Sequence, residues 1–156
     1  MSEARRHGRC LCGGVRVSVP VERSAVGACH CAMCRRWCSG PWMAIQAPEA
    51  EIAGETLRTF QASGFAERGF CEKCGSSIFH RPTLGPEIAV SAGLFDAEGL
   101  TLTHEIFHDG KPAFYRFEGD TRKRSALSMA LEWGPRLLWR RIRRMGGPGQ
   151  PGQTGN

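Results

Sequence analysis

In GGVRVSVPV (residues 13–21), Val15, Val17 and Val19 alternate with polar residues until Pro20 interrupts the run. Period-two alternation marks a strand buried on one face. PWMAIQAP (41–48) is a short apolar run bounded by prolines, which predicts another strand. TLRTFQAS and AERGFC supply a strand and a turn, and SSIFHRP and PEIAVSAGLFD read as further strands. THEIFHDGKPAFYRFEGD predicts two short strands around a turn at Asp109-Gly110. Many short extended runs punctuated by Gly, Pro and Asp define an all-β domain of antiparallel sheets, ending near Gly119. No fixed-period repeat interrupts it.

The pattern then changes. RSALSMALEWGPRLLWRRIRRMGG is rich in helix formers, with a predicted break at Gly134-Pro135. Past the break, Leu138, Trp139, Ile142 and Met145 share one helical face, and Arg136, Arg140, Arg143 and Arg144 mostly lie elsewhere. GGPGQPGQTGN has the composition of a disordered end. The expected organisation is a domain over residues 6–119, a basic helical tail over 120–147, and disorder over 148–156.

Charge sharpens this division. The net charge is +6 over 156 residues. Through Gly119, thirteen basic and thirteen acidic residues cancel; beyond it, eight basic residues face Asp120 and Glu132. The excess therefore belongs to the tail, and the domain has no electrostatic claim on nucleic acid. The tail itself has three readings: a solubilising segment packed on the domain, a helix on an anionic membrane surface, or a contact with nucleic acid.

The N-terminal MSEARRHGRC lacks the apolar run of ~7–15 residues that a secretory signal needs, and no stretch approaches the ~20 apolar residues of a membrane span. The expectation is a cytoplasmic protein, where clustered thiols hold metal more often than they form disulfides. Eight cysteines fall into three groups: Cys10-x-Cys12, Cys29-x-Cys31-x-x-Cys34 with Cys38 behind it, and Cys71-x-x-Cys74. Cys10, Cys12, Cys71 and Cys74 can close one tetrahedral zinc site. Cys29, Cys31 and Cys34 then form a three-thiolate site with a vacancy, as catalytic zinc requires, unless Cys38 completes it and makes both sites structural. The Cys-x-x-Cys pairs also admit a redox reading, but neither sits in the βαβ pattern that such pairs accompany. His30, between two cysteines on extended backbone, points away from them and suits a supporting role. His80, His104 and His108 read as ordinary strand-end or surface histidines. Arg35 and Arg36 either balance thiolate charge or clamp a substrate carboxylate.

Taken in order, GRCLCGGVRVSV, CHCAMCRRWCSGPW, FCEKCGSSIF and VSAGLFD resemble the glutathione-dependent formaldehyde-activating enzyme family, which also includes centromere protein V, over roughly residues 6 to 118. The resemblance implies two zinc ions: a structural one on Cys10, Cys12, Cys71 and Cys74, and a catalytic one on Cys29, Cys31 and Cys34. It implies folded sheets with zinc knuckles, similar to methionine sulfoxide reductase B. It also implies a lyase activity, the joining of glutathione and formaldehyde to S-(hydroxymethyl)glutathione. Cys38 stands where family members more often carry a small hydroxyl or glycine, and is a candidate for the vacant zinc position at rest. The rival function is a zinc-stabilised interaction module whose basic tail makes the contacts.

Overall fold

The computed structural model describes residues 4–145; the expected disorder over 148–156 lies outside them. Eleven strands form two sheets among the described residues. The small sheet joins β1 (Arg5–Arg9), β2 (Arg16–Pro20) and β5 (Glu51–Ala53) in the order β1-β2-β5. The large sheet is built from β3 (Ala25–Cys29), β4 (Trp42–Gln46), β6 (Leu57–Ser63), β7 (Ala66–Cys71), β8 (Ser77–Pro82), β9 (Ala89–Ser91), β10 (Thr101–Ile106) and β11 (Arg122–Arg124). Its order is β11-β10-β3-β4-β9-β8-β7-β6.

The core lies between the sheets. Val15, Val17 and Val19 meet Ile45, Ile78, Phe79 and Val90 there, and all seven are almost fully buried. Each such side chain contributes roughly 1.5–3 kcal/mol by leaving water. On β4, Met43 and Ile45 turn to this core, while Trp42 and Ala44 turn to the opposite face of the large sheet. That second face carries Cys29, Cys34 and Ala89, and it is where the site forms.

Three sequence expectations need correction. The sheets are mixed, because β10 pairs in parallel with both β3 and β11. The hairpin about Asp109-Gly110 does not form. After β10 the chain enters the left-handed region at Phe107 (φ 54°) and curls through a 3-10 turn at His108–Gly110. Pro112 has no N–H to extend a ladder, and the following residues fold over His30 instead, stacking Tyr115 and Phe117 at ring distances of 5.6 and 5.9 Å. Third, the tail helix is not broken: α2, the second of two α-helices among the described residues, runs from Ala126 to Met145 with Pro135 inside it. Proline forfeits one backbone hydrogen bond, but Leu131, Gly134 and Pro135 are exposed, so the missing bond falls on the solvent side of the helix.

The first helix, α1 (Ala32–Cys38), follows the extended Cys29-His30 segment. Cys31 caps it, its sulfur accepting from the Cys34 amide at 3.4 Å. β11 lies beyond Gly119 and joins the large sheet, so the chain re-enters the domain before α2 begins. Ser125 and Asp109 cap α2, accepting from the Ser128 amide at 3.2 Å and the Ala126 amide at 2.8 Å. The inner face of α2 covers the second face of the large sheet.

Candidate metal centres and active site

Cys10 and Cys12 sit on a knuckle just past β1, and Cys71 and Cys74 on another at the end of β7. Each knuckle turns through a glycine in the left-handed region, Gly13 (φ 77°) and Gly75 (φ 74°), where side chains are strained. The four sulfurs lie within 4.8 Å of one another. Cys10 and Cys12 are 3.6 Å apart, and Cys12 and Cys71 3.7 Å. Four sulfurs at ~2.3 Å from a tetrahedral zinc stand about 3.7 Å apart, so the donor set fits that ion. A hydrogen bond to Ser76 holds the Cys74 thiol down at about 5, and one to Thr56 lowers Cys71. Both shifts favour the thiolates that metals bind.

Cys29 at the end of β3, Cys31 at the cap of α1 and Cys34 in its first turn form the second cluster, also within 4.8 Å. The Cys31 sulfur, accepting from Cys29 and Cys34, is drawn down to about 2; Cys29 is driven far up by hydrogen bonding to Cys31 and Cys34 and by burial. Without a cation only one of these thiols readily ionises. A divalent metal lifts that restriction, and zinc suits three thiolates.

Cys38 is not gathered with the three. It lies one turn further along α1, and its thiol neighbours Ser77. Arg35 donates from Nε to the His30 carbonyl at 3.0 Å, and Arg36 is exposed; neither reaches the cavity described next.

The cluster opens into a cavity of about 440 Å³ between the large sheet and α2. Its floor includes Trp42, Ala44, Ala89 and Ile106, and its roof Met129, Ala130, Trp133 and Leu137. His80 and His104 also face it, rather than lying idle at strand ends. Gly27 makes room for His104, because a Cβ there would come within 2.3 Å of its Nε2. Burial and the charge of Arg68 pull His80 down to about 4, leaving a neutral ring at pH 7.

Arg68 is the cation of this site, and no motif along the chain marks it. It is 3% exposed on β7, opposite His80 in register. Nη2 donates to the Cys34 sulfur at 3.2 Å, and the guanidinium lies 5.6 and 5.7 Å from the rings of Trp42 and Trp37. Nη1 is buried without a partner. A buried guanidinium is costly unless paired, so the arrangement is half complete.

Behind the cluster, His30 is fully buried. Its Nε2 is 2.8 Å from Glu105 Oε2, and its Nδ1 2.8 Å from the Tyr115 hydroxyl. The Thr121 hydroxyl donates to the other Glu105 oxygen. Burial works to raise the Glu105 pKa, but hydrogen bonds from Thr121 and His30 outweigh it and hold the carboxylate ionised. Burial likewise lowers His30. Glu105, Tyr115 and Thr121 were not legible in the sequence.

The glutathione-dependent formaldehyde-activating enzyme family matches the chain over residues 5–110. The chain belongs to this family. It is 33% identical over 118 residues to a Schizosaccharomyces pombe protein named as an uncharacterized lyase, covering 73% of this chain and 86% of that relative. It is also similar to a Rhodobacter sphaeroides protein of known crystal structure, at 26% identity and a TM-score of 0.49 over 61% of this chain and 90% of the other. The family match includes all eight cysteines and ends before Tyr115, Thr121 and α2.

Proposed function

We propose that this family member is a zinc-dependent carbon–sulfur lyase and synthase acting on a glutathione–aldehyde adduct, S-(hydroxymethyl)glutathione or a relative of it. One observation carries the reading: three converging thiols open onto a cavity beside a buried arginine with a free N–H. Family membership and the lyase name of the yeast relative support enzymatic activity. Cys10, Cys12, Cys71 and Cys74 would hold a structural zinc, and Cys29, Cys31 and Cys34 a catalytic one. The folded-sheet likeness to methionine sulfoxide reductase B belongs to the same proposal, supported by the two packed sheets and paired knuckles.

Cys29, Cys31 and Cys34 would hold a zinc ion that, when bound, would supply Lewis acidity toward a visiting thiol and a carbonyl oxygen. The chain's own residues do the rest. Arg68 offsets thiolate charge through Cys34 and offers Nη1 to the carbonyl oxygen as charge gathers there. In synthesis the S–H bond breaks and a C–S bond forms. The carbonyl π pair moves to oxygen, which takes up a proton; cleavage reverses these steps. The neutral His80 ring adds no competing positive charge, and the α2 roof limits water.

The interaction-module alternative needs Cys38 to close the second site, and the separation of Cys38 from the cluster favours the enzyme instead. Contact with a membrane or nucleic acid gains no support from the comparisons and forms no part of the proposal. The test measures adduct formation from glutathione and formaldehyde above the uncatalysed rate, with and without a zinc chelator. Activity abolished by the chelator is expected; equal rates in every arm refute the reading. Arg68→Met should weaken zinc binding at the second cluster by about 10–100-fold, as loss of a ligand's hydrogen-bond partner usually does.

A further inference from the structure

The cavity is larger and more apolar than formaldehyde can fill. Formaldehyde has one carbon and no apolar substituent, whereas about 440 Å³ lies between the sheet and α2, within the range of pockets for much larger ligands. Trp42, Ala44, Ile106, Met129, Trp133 and Leu137 supply its walls. Glutathione does not fit these walls either: its two carboxylates, ammonium and peptide groups would lose water there and regain few partners, a costly exchange.

The one buried charge lies at one end, beside the thiols; Gln46, His80 and His104 are the other polar residues of an otherwise apolar lining. Arg68 is almost fully buried and keeps Nη1 unpaired beside Cys34. The site therefore has a hydrogen-bond donor for one oxygen near the thiols and an apolar chamber leading away from it. That is the shape of an aldehyde carrying an alkyl or aryl group.

We propose that the aldehyde partner of this site carries an apolar substituent of several carbons, which lies under α2 while its oxygen faces Arg68. The inference rests on the lyase reading and assigns its substrate class. The reaction is hemithioacetal formation: thiol S–H and aldehyde C=O become C–S and O–H, with no redox change. Each methylene buried under α2 is worth ~0.8 kcal/mol, roughly a fourfold gain in kcat/KM.

The test uses the zinc-loaded full chain, glutathione and unbranched aldehydes from formaldehyde to decanal. The expected result is kcat/KM climbing several-fold per carbon until the chamber is full. Ala130→Trp narrows the chamber from the roof, and Leu137→Ala removes apolar wall; each should lower the octanal-to-formaldehyde ratio about tenfold. That ratio is internal to each variant, so partial misfolding does not mimic it. A second measurement needs no turnover: octanoate, monitored by tryptophan fluorescence, should bind roughly 1,000-fold more tightly than acetate, from six further methylenes at ~0.8 kcal/mol each. A flat aldehyde series with formaldehyde turned over overturns this inference and leaves the lyase reading intact. Equal binding of octanoate and acetate also overturns it. If no aldehyde is accelerated, both fall.

Discussion

Truncating Glu105 tests whether the support behind the cysteines is as important as the cysteines themselves. The Glu105 carboxylate is 2% exposed. One oxygen takes the His30 Nε2 hydrogen bond at 2.8 Å, and the other accepts from the Thr121 hydroxyl. Glu105→Ala leaves two buried donors without acceptors, at about 1–3 kcal/mol each. Removing a buried charge returns part of that cost, so a net loss of about 2–4 kcal/mol is expected. This is a large share of the ~5–15 kcal/mol that holds a typical domain together. Glu105→Gln behaves differently. Its carbonyl still accepts one hydrogen bond, and a switched His30 tautomer can accept from its amide, which limits the loss to about 1 kcal/mol. Urea unfolding at pH 7 measures both, with unchanged m-values confirming that the native state is compared. Because His30 lies between Cys29 and Cys31, zinc loss to a chelator should also quicken at the second cluster in the alanine variant. An alanine variant within about 0.5 kcal/mol of the parent would refute the reasoning, since that is the scatter of ordinary surface substitutions.

Two further outcomes follow from the geometry. Cys74→Ser should lower bound zinc, measured by elemental analysis, from two ions per chain toward one and reduce the thermal midpoint, whereas Cys38→Ser should leave two; equal zinc loss in both variants would place Cys38 among the ligands. Arg140 forms a paired contact with Glu87, at 2.5 and 2.6 Å, that ties α2 to the β8–β9 connection and holds the Glu87 carboxyl below its ordinary value. A depressed carboxyl stabilises the docked helix above the unfolded pKa of ~4.3 and loses that contribution as pH falls through the lower folded value, so tryptophan fluorescence should show α2 loosening below about pH 5 in the parent, with that pH step missing in Glu87→Gln; identical profiles would dismiss the clamp.

The strands that carry alternating or proline-bounded apolar runs were legible, because β2, β4 and β8 concentrate buried apolar side chains. The weakly apolar strands were not: RRHGR, AVGAC and EIA lack the alternation that marks a half-buried strand, and they form by pairing, RRHGR with the strand that follows it and AVGAC and EIA with partners far along the chain. The cysteine groupings could be read because metal spacing is local within each pair, and the two groups of sulfurs converge as those pairs predict. Arg68, Glu105 and Tyr115 could not. Each looks like an ordinary polar residue until the fold, by strand register for Arg68 and Glu105 and by the loop after β10 for Tyr115, places it against Cys34 or His30 across 34, 75 and 85 residues respectively. The arginines next to the cysteines drew the eye, but proximity along the chain put them on α1, where Arg35 serves the backbone and Arg36 faces water.

The basic tail changes meaning once its partners are counted. Arg140 is engaged with Glu87, Arg124 and Arg136 both face Glu132, and Arg143 lies over the Trp139 ring at 3.7 Å. Charge that looked available for an anionic surface is partly consumed within the chain, which weakens the long-range field such a surface would feel. Of these, the Arg140–Glu87 and Arg124–Glu132 pairs hold the inner face of α2 over the cavity, with Met129 2% exposed beneath it. Leu127, Leu131, Leu138 and Ile142 stay exposed on the opposite side. A helix anchored by its charges and one apolar stripe is a wall of the site rather than an appendage. The cysteines, Arg68 and His80 lie within residues 5–110, which match the family, while α2 lies beyond them. Under the proposed function, chemistry and selectivity would sit on separable parts of the chain: a change in α2 would alter which aldehyde is accepted without touching a proposed metal ligand.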